Sequence, residues 1–231
     1  MRFALIGKNI SHSLSPDLYR KIIGPEVVYD LIDLSDESLL PSLAELSKKY
    51  QGLNITSPFK KFYLKDVIIH DDSIAKLKAI NTIALTNNGH FATNTDLLAV
   101  REILQNYQKR IPGLHLILLG SGVMARITLL VASELHLSVE QFSRSNQSDL
   151  EHLDLSKLSN SDQATLVINA CSRDFHFMGN ISRNFYFWDF NYRFYPHQNT
   201  LPLKVKEYQD GQEMLTLQAK AAWAFWQRNI H

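Results

Sequence analysis

"LHLILLGSGVMAR", residues 114–126, decides how the chain is read. Its first six residues are almost wholly apolar, as in a central parallel strand covered on both faces. The run then passes through Gly120-Ser121-Gly122 into a helical pattern that continues as "ITLLVASELHL". A strand, a glycine turn and a helix in direct succession form the repeating unit of parallel α/β sheets. The flanking sequence keeps the alternation. "RFALIG" (2–7), "VVYDLIDL" (27–34) and "GLNIT" (52–56) read as strands upstream, and "SVEQFSR" (138–144), "ATLVINA" (164–170) and "NFYFWDF" (184–190) read as strands downstream.

Helical patterns lie between them. "SDESLLPSLAELSKKY" (35–50) reads as a crossover helix that starts at Ser35 and carries Leu39, Leu40, Leu43 and Leu46 on one face. "DLLAVREILQNYQKR" (96–110) is a second helix, closed by Pro112-Gly113. "NTIALTNNGHFATN" (81–94) instead alternates with period two around Asn88-Gly89, a hairpin signal, so the first sheet is expected to be mixed. The last helix, in "GQEMLTLQAKAAWAFWQRN" (211–229), has Met214, Leu217, Ala221, Ala224 and Phe225 at helical spacing. The pattern predicts an α/β protein of two domains. Residues 1–98 form a mixed-sheet domain, with helix 211–231 packing back on it, and residues 99–210 form a Rossmann-like doubly wound domain.

Composition narrows the function. The chain has 231 residues, 45% of them hydrophobic, enough for packed cores. Its 24 Lys+Arg against 23 Asp+Glu include no block of like charge, which argues against nucleic acid or an anionic membrane as main partner. Cys171 is the only cysteine, so no intrachain disulfide forms, and the apolar run at the N-terminus is short for a signal peptide or a membrane span. A reducing, cytoplasmic compartment is expected.

Gly120, Gly122 and Ala125 have the spacing of a dinucleotide fingerprint. The first glycine makes a tight turn, the second lets the backbone approach a pyrophosphate, and the small third residue lets helix meet strand. The pattern alone is weak, because strand-to-helix turns use glycine for steric reasons too, but the strand before and helix after it favour a coenzyme. At the end of the next strand stand Ser143 and Arg144, where Asp or Glu would suit NAD. A guanidinium there suits the extra phosphate of NADP, the alternative being a solvated arginine.

"GLNITSPFK" (52–60) ends a strand, turns at Pro58 and delivers Lys60, while "ATNTD" (92–96) ends at Asp96. A lysine and a carboxylate at strand ends could form an acid/base pair, or only a surface salt bridge.

Several motifs, in order, resemble the shikimate dehydrogenase family along nearly the whole chain. They are "ISHSLSP" (10–16), "GLNITSPFK", "AINT" (79–82), "ATNTD", "GSGVMAR" (120–126), "SRS" (143–145), "DFNY" (189–192), "TLPL" (200–203) and "MLTLQA" (214–219). The resemblance implies NADP-dependent, reversible reduction of 3-dehydroshikimate to shikimate, in aromatic amino acid biosynthesis, by a monomer or homodimer that needs no metal. It implies Lys60 and Asp96 as the catalytic pair, and Ser13, Ser15, Thr56, Asn81, Tyr192 and Gln218 as ligands of the substrate's carboxylate and hydroxyls. On the coenzyme side it implies Gly120, Ser121, Gly122, Val123, Ala125, Ser143, Arg144, Asn169 and Gly211. For Ser15, with Pro16 behind it, a helix N-cap is the competing reading.

The chain departs from the family mostly on the coenzyme side. Val123 and Met124 replace smaller residues, and no second basic residue follows Arg144. "NACSRDF" (169–175) lacks the family's Thr-Pro, and Glu213 stands where a glycine is usual. Two alternatives therefore stay open: a quinate/shikimate dehydrogenase using NAD as well as NADP, or a ligand-binding protein without catalysis.

Overall fold

A computed structural model describes residues 1–158 and 164–230. It divides into two compact units, Met1–Leu98 with the chain from Thr216 onward, and Ala99–Leu215. The elements run β1 (Arg2–Gly7), α1 (Ser15–Ile23), β2 (Val28–Asp33), α2 (Leu43–Leu46), β3 (Gly52–Ile55), α3 (Asp72–Leu77), β4 (Thr82–Thr86), β5 (Gly89–Thr93) and α4 (Thr95–Arg110). There follow β6 (His115–Leu119), α5 (Val123–Glu134), β7 (Ser138–Phe142), β8 (Thr165–Asn169), β9 (Tyr186–Asp189), α6 (Tyr195–Thr200), β10 (Glu207–Gln209) and α7 (Gln212–Ile230).

The first unit holds a mixed five-stranded sheet in the order β2-β1-β3-β4-β5, with β1, β2 and β3 parallel and β4 and β5 antiparallel. Its core joins the sheet to α1 and α7: Phe3 stacks on Trp226 at 4.3 Å between ring centroids, and Trp226 Nε1 donates to Ile83 O at 2.9 Å. Position 52 must be glycine for this, because a Cβ there would run into the Trp226 indole. The second unit holds an all-parallel sheet in the order β10-β9-β8-β6-β7. Its inner strands β6, β8 and β9 are largely apolar and buried, as predicted for "LHLILLG" and "ATLVINA", with Ile117, Leu119, Val167 and Phe187 fully buried. The chain leaves β6 first toward β7 and then returns to β8 on the other side, so β6 marks the switch point where open α/β sheets place ligands.

Local chemistry overrode several sequence expectations. The helix expected over 35–50 is broken into a 3-10 turn at Glu37–Leu39, capped by Asp36, and the short α2. Pro41 holds Leu40 extended, and Ser42 with Glu45 forms a capping box that starts α2 afresh. Leu39 is accordingly 56% exposed. The hairpin turns at Asn87-Asn88, with Gly89 already paired to Thr86. Ser15 is the first residue of α1 rather than its N-cap, which is Leu14. In α7 the buried face is Gln218, Ala219, Ala222 and Trp226, rotated from the face expected, and Ala224 is exposed. The elements α3, α6 and β10 were not anticipated.

Candidate active site

Four chain segments meet at one edge of the first sheet because of its register. β1 and β3 end there, while Asn54 opposite Thr82 and Thr82 opposite Thr93 bring the start of β4 and the end of β5 to the same edge. The loops leaving this edge carry Ser13, Thr56, Lys60 and Asn81, and the start of α4 carries Asp96. Backbone bonds lock them together: Thr56 N–H donates to Ile6 O at 2.9 Å, Ile55 N–H to Asn81 O at 2.8 Å and Ile80 N–H to Lys60 O at 2.9 Å. Gly7 is needed where β1 ends, since a Cβ there would strike Thr56 and Ile10.

Lys60 Nζ and Asp96 Oδ2 are 2.6 Å apart, each side chain only 10% exposed. Asp96 lies in the first turn of α4, where the helix N-terminus favours negative charge. Asn94 caps that helix, its Oδ1 accepting from Leu97 N–H at 3.2 Å while its Nδ2 donates to Ala79 O at 2.9 Å. Between them Thr95 N–H donates to Asn81 Oδ1 at 2.7 Å, Asn81 Nδ2 donates to Thr95 Oγ1 at 3.1 Å, and Thr95 Oγ1 donates to Gln218 Oε1 at 3.4 Å. Gln218 of α7 is thus tied to Asn81 through Thr95, a residue sequence reasoning passed over inside "ATNTD".

Beneath this layer Asn54 is fully engaged. Its Oδ1 accepts from Tyr19 OH and Tyr29 OH, both at 2.7 Å, and its Nδ2 donates to Asn81 O at 3.2 Å and Thr82 Oγ1 at 3.0 Å. Burial pushes both phenols well above the ordinary tyrosine range, with the Asp96 carboxylate adding to it for Tyr19, so both stay protonated as donors. At the loop after β1, Ser13 Oγ accepts from Ser15 N–H at 3.2 Å and donates to Ser15 Oγ at 3.1 Å. Ser15 is buried, while Ser13 and Thr56 are half-buried.

The second unit builds a different kind of site. Gly120, Ser121 and Gly122 leave β6, Ser143 and Arg144 leave β7, and Ala170 and Cys171 leave β8, all around one cavity of about 590 Å³. Gly120 has φ 115°, and a Cβ on it would lie 3.1 Å from the Ala170 carbonyl carbon and oxygen and 3.2 Å from Cys171 Sγ. Gly122 is the N-cap of α5, no side chain caps the helix, and a Cβ on Gly122 would meet nothing within 4 Å. Ala125 is fully buried, Val123 half-buried, and Ser121 and Arg144 are exposed. Ser143 N–H donates to Asn146 Oδ1 at 2.7 Å, which closes the turn that presents Arg144. Burial pushes the Cys171 thiol up to about 11 against the opposing pull of Arg144, so it is a thiol at neutral pH.

The other expected coenzyme residues have mainly internal contacts. Asn169 is buried, donating to Asp189 Oδ1 at 3.0 Å and accepting from Cys171 N–H at 3.1 Å. Asp189 also holds His197, whose Nδ1 lies 2.6 Å from Asp189 Oδ2 and whose Nε2 accepts from Phe177 N–H at 2.8 Å. Since Nε2 accepts, the proton is on Nδ1, and the imidazole is a neutral donor to Asp189. Gly211 is buried against the Phe190 carbonyl, where a Cβ would collide. Tyr192 is half-buried, its carbonyl accepting from Arg173 Nη1 at 2.7 Å. Lys60, Asp96, Asn81 and Gln218 therefore belong to the first unit's network, and Tyr192 and Gly211 to the second unit.

Residues 5–83 match the family model described as the shikimate dehydrogenase substrate binding domain. A curated shikimate dehydrogenase (NADP(+)) of Saccharolobus solfataricus is 31% identical over 139 residues, covering 59% of this chain and 50% of that protein. The chain thus spans about half the length of the curated relatives it matches first, 50% and 55% for the first two. A protein of the same name from Clostridium botulinum is 25% identical over 249 residues, covering 96% of this chain and 95% of its own. The fold is that of the Thermus thermophilus shikimate 5-dehydrogenase solved with NADP(H) and shikimate, at TM-score 0.72 and 22% identity over 98% of this chain and 93% of that one. The chain thus matches the substrate binding domain model over residues 5–83, and along nearly its whole length it is similar to a shikimate dehydrogenase and shares the fold of one.

Proposed function

We propose that this protein is an NADP-dependent oxidoreductase acting on a CH–OH group, a shikimate dehydrogenase that reversibly reduces 3-dehydroshikimate to shikimate. The observation that carries the reading is the Lys60–Asp96 pair, sheltered at an edge where hydroxyl and amide side chains converge. In this reading the first unit supplies most ligands of the ring and the second binds the coenzyme. Ser13 and Ser15 offer hydroxyl donors to the carboxylate, and Thr56, Asn81, Tyr192 and Gln218 bind the remaining oxygens. One N–H of Asn81 Nδ2 goes to Thr95, leaving the second for the ligand. The relatives described above, all shikimate dehydrogenases, support this assignment.

The second unit's residues fit a dinucleotide. Gly122 leaves a cradle that a Cβ would fill, and the uncapped N-terminus of α5 presents N–H groups to a pyrophosphate. Gly120, Ser121, Val123 and Ala125 shape that turn, Ser143 and Arg144 address the 2′-phosphate, and Asn169 and Gly211 hold the neighbouring loops in place. When bound, the nicotinamide supplies or accepts the hydride. Lys60 Nζ, oriented by Asp96, gives a proton to the substrate oxygen as the carbonyl becomes a hydroxyl, and in reverse Lys60 takes it as the C–H bond is lost. Asp96 keeps Lys60 in place and limits the cost of burying its charge. A cytoplasmic location and a monomeric or homodimeric state belong to the same reading. No helix among the described residues is long and apolar enough to cross a membrane.

The test is absorbance of the reduced nicotinamide with purified protein, shikimate and either NADP or NAD. Growth of the band with NADP is expected. No growth with either coenzyme, while shikimate still raises the melting temperature, would replace the enzyme with a ligand-binding protein.

A further inference from the structure

The coenzyme cavity has an unbalanced wall. Among the described residues lining it, Arg144 is the one cation, and Asp149, Glu151 and Asp174 are carboxylates. The turn after Arg144 adds no counter-charge, because Asn146 is committed to Ser143 N–H at 2.7 Å and to Gln141 O at 3.0 Å. Asp149 follows that turn and is held ionised by the His152 ring and N–H, which keep its carboxyl below the usual range. A ribose phosphate carries about −1.5 to −2 charges, so it would meet one guanidinium and three like charges. A carboxylate suits a free ribose hydroxyl better, because it accepts a hydrogen bond from it.

Resting on the dinucleotide reading above, we propose that Asp149, Glu151 and Asp174 set the coenzyme preference of this chain by opposing Arg144. NADP and NAD then bind within about tenfold of each other. Both coenzymes carry the same pyrophosphate, so its repulsion by these carboxylates cancels in the ratio of affinities. What remains is the effect on the 2′-phosphate alone.

The test is calorimetric titration of the full chain with NADP and with NAD, without substrate. In the Asp149→Asn/Glu151→Gln/Asp174→Asn variant, NADP should bind about five- to twentyfold tighter and NAD about as before. Arg144→Ala should weaken NADP by about tenfold and leave NAD unchanged. The glutamine keeps an acceptor for His176 N–H, which donates to Glu151 at 3.4 Å. If circular dichroism shows the triple variant unfolded, Asp149→Asn alone, with the Asp149 side chain 63% exposed, should still shift the ratio by about two- to threefold. An unchanged ratio, equal tightening of both coenzymes, or a wild-type preference for NADP of about a hundredfold or more overturns the proposal but leaves dinucleotide binding intact. Heat with neither coenzyme overturns both this proposal and the dinucleotide reading.

Discussion

The loop-bearing edges of the two sheets are built by different means. In the first unit, Asn54, Asn81, Thr82, Thr95 and Gln218 hold one another by side-chain hydrogen bonds, and Lys60 is seated on Asp96. In the second, the Gly120–Gly122 turn has no side-chain cap, and the cavity is framed by backbone, a hydrogen-bonded serine turn and an exposed arginine. In the function proposed above, the difference matches two kinds of recognition. A small ring must find each donor already aimed, so the side chains are cross-linked in advance. An anion can be held by main-chain N–H groups, so what matters there is access, which glycine provides.

Several substitutions would sharpen or break that contrast. The largest effect is expected from Lys60→Ala, which should lower kcat by about 10²–10⁴-fold while shikimate affinity changes by less than about threefold. Steady-state kinetics and ligand-induced melting shifts measure both, and near-normal kcat would remove Lys60 from the chemistry. Asn54→Ala touches no expected ligand, yet it removes the acceptor that two buried phenols share. A loss of about 3 kcal/mol in denaturant unfolding is expected, and a neutral result would show that the network beneath the site is dispensable.

In the second unit the two glycines should separate. Gly120→Ala forces a side chain into φ 115° beside Ala170 and Cys171, and should cost about 1–3 kcal/mol. Gly122→Ala, in open space, should alter stability by less than about 0.5 kcal/mol while weakening coenzyme binding, because the added methyl fills the cradle. Equal behaviour of both variants would erase the distinction drawn between them.

The smallest effect concerns acid. Burial lowers the pKa of His176 below its unfolded value. The unfolded chain therefore takes up that proton first, and stability should fall slightly as pH drops below about 6.5. His176→Gln should flatten that part of the unfolding profile, and an unchanged pH profile would show that His176 does not contribute.

Much of this architecture could be read from residue order. The strands β1, β6 and β8 were legible because a strand with apolar neighbours on both faces is written as a nearly unbroken apolar run, and the hairpin was legible from its period of two. The helix expected over 35–50 failed because its leucine spacing was read without Pro41 and the Ser42–Glu45 cap, which divide it. The face of α7 was misjudged because hydrophobicity favoured Phe225 and Met214, whereas the sheet selected Trp226, with room made by Gly52. On the candidate site, Lys60 and Asp96 stood out as strand-end charges. Thr95, Tyr19 and Tyr29 did not, since a threonine after asparagine and tyrosines in apolar runs carry no marker of their partners.

Composition, periodicity and motif order were enough to establish an α/β chain with two sheets, a glycine turn after a central strand, and the order of the family's motifs. These are local properties, encoded in neighbours a few residues apart. The seating of Lys60 on Asp96, 36 residues away, and the tie from Thr95 to Gln218, 123 residues away, arose only when sheet register brought distant loops to one edge. Arg144, Asp149, Glu151 and Asp174 likewise came to line one cavity only through folding. Residue spacing encodes which side of an element is apolar. Which polar groups then face each other depends on crossings and registers that no single segment contains.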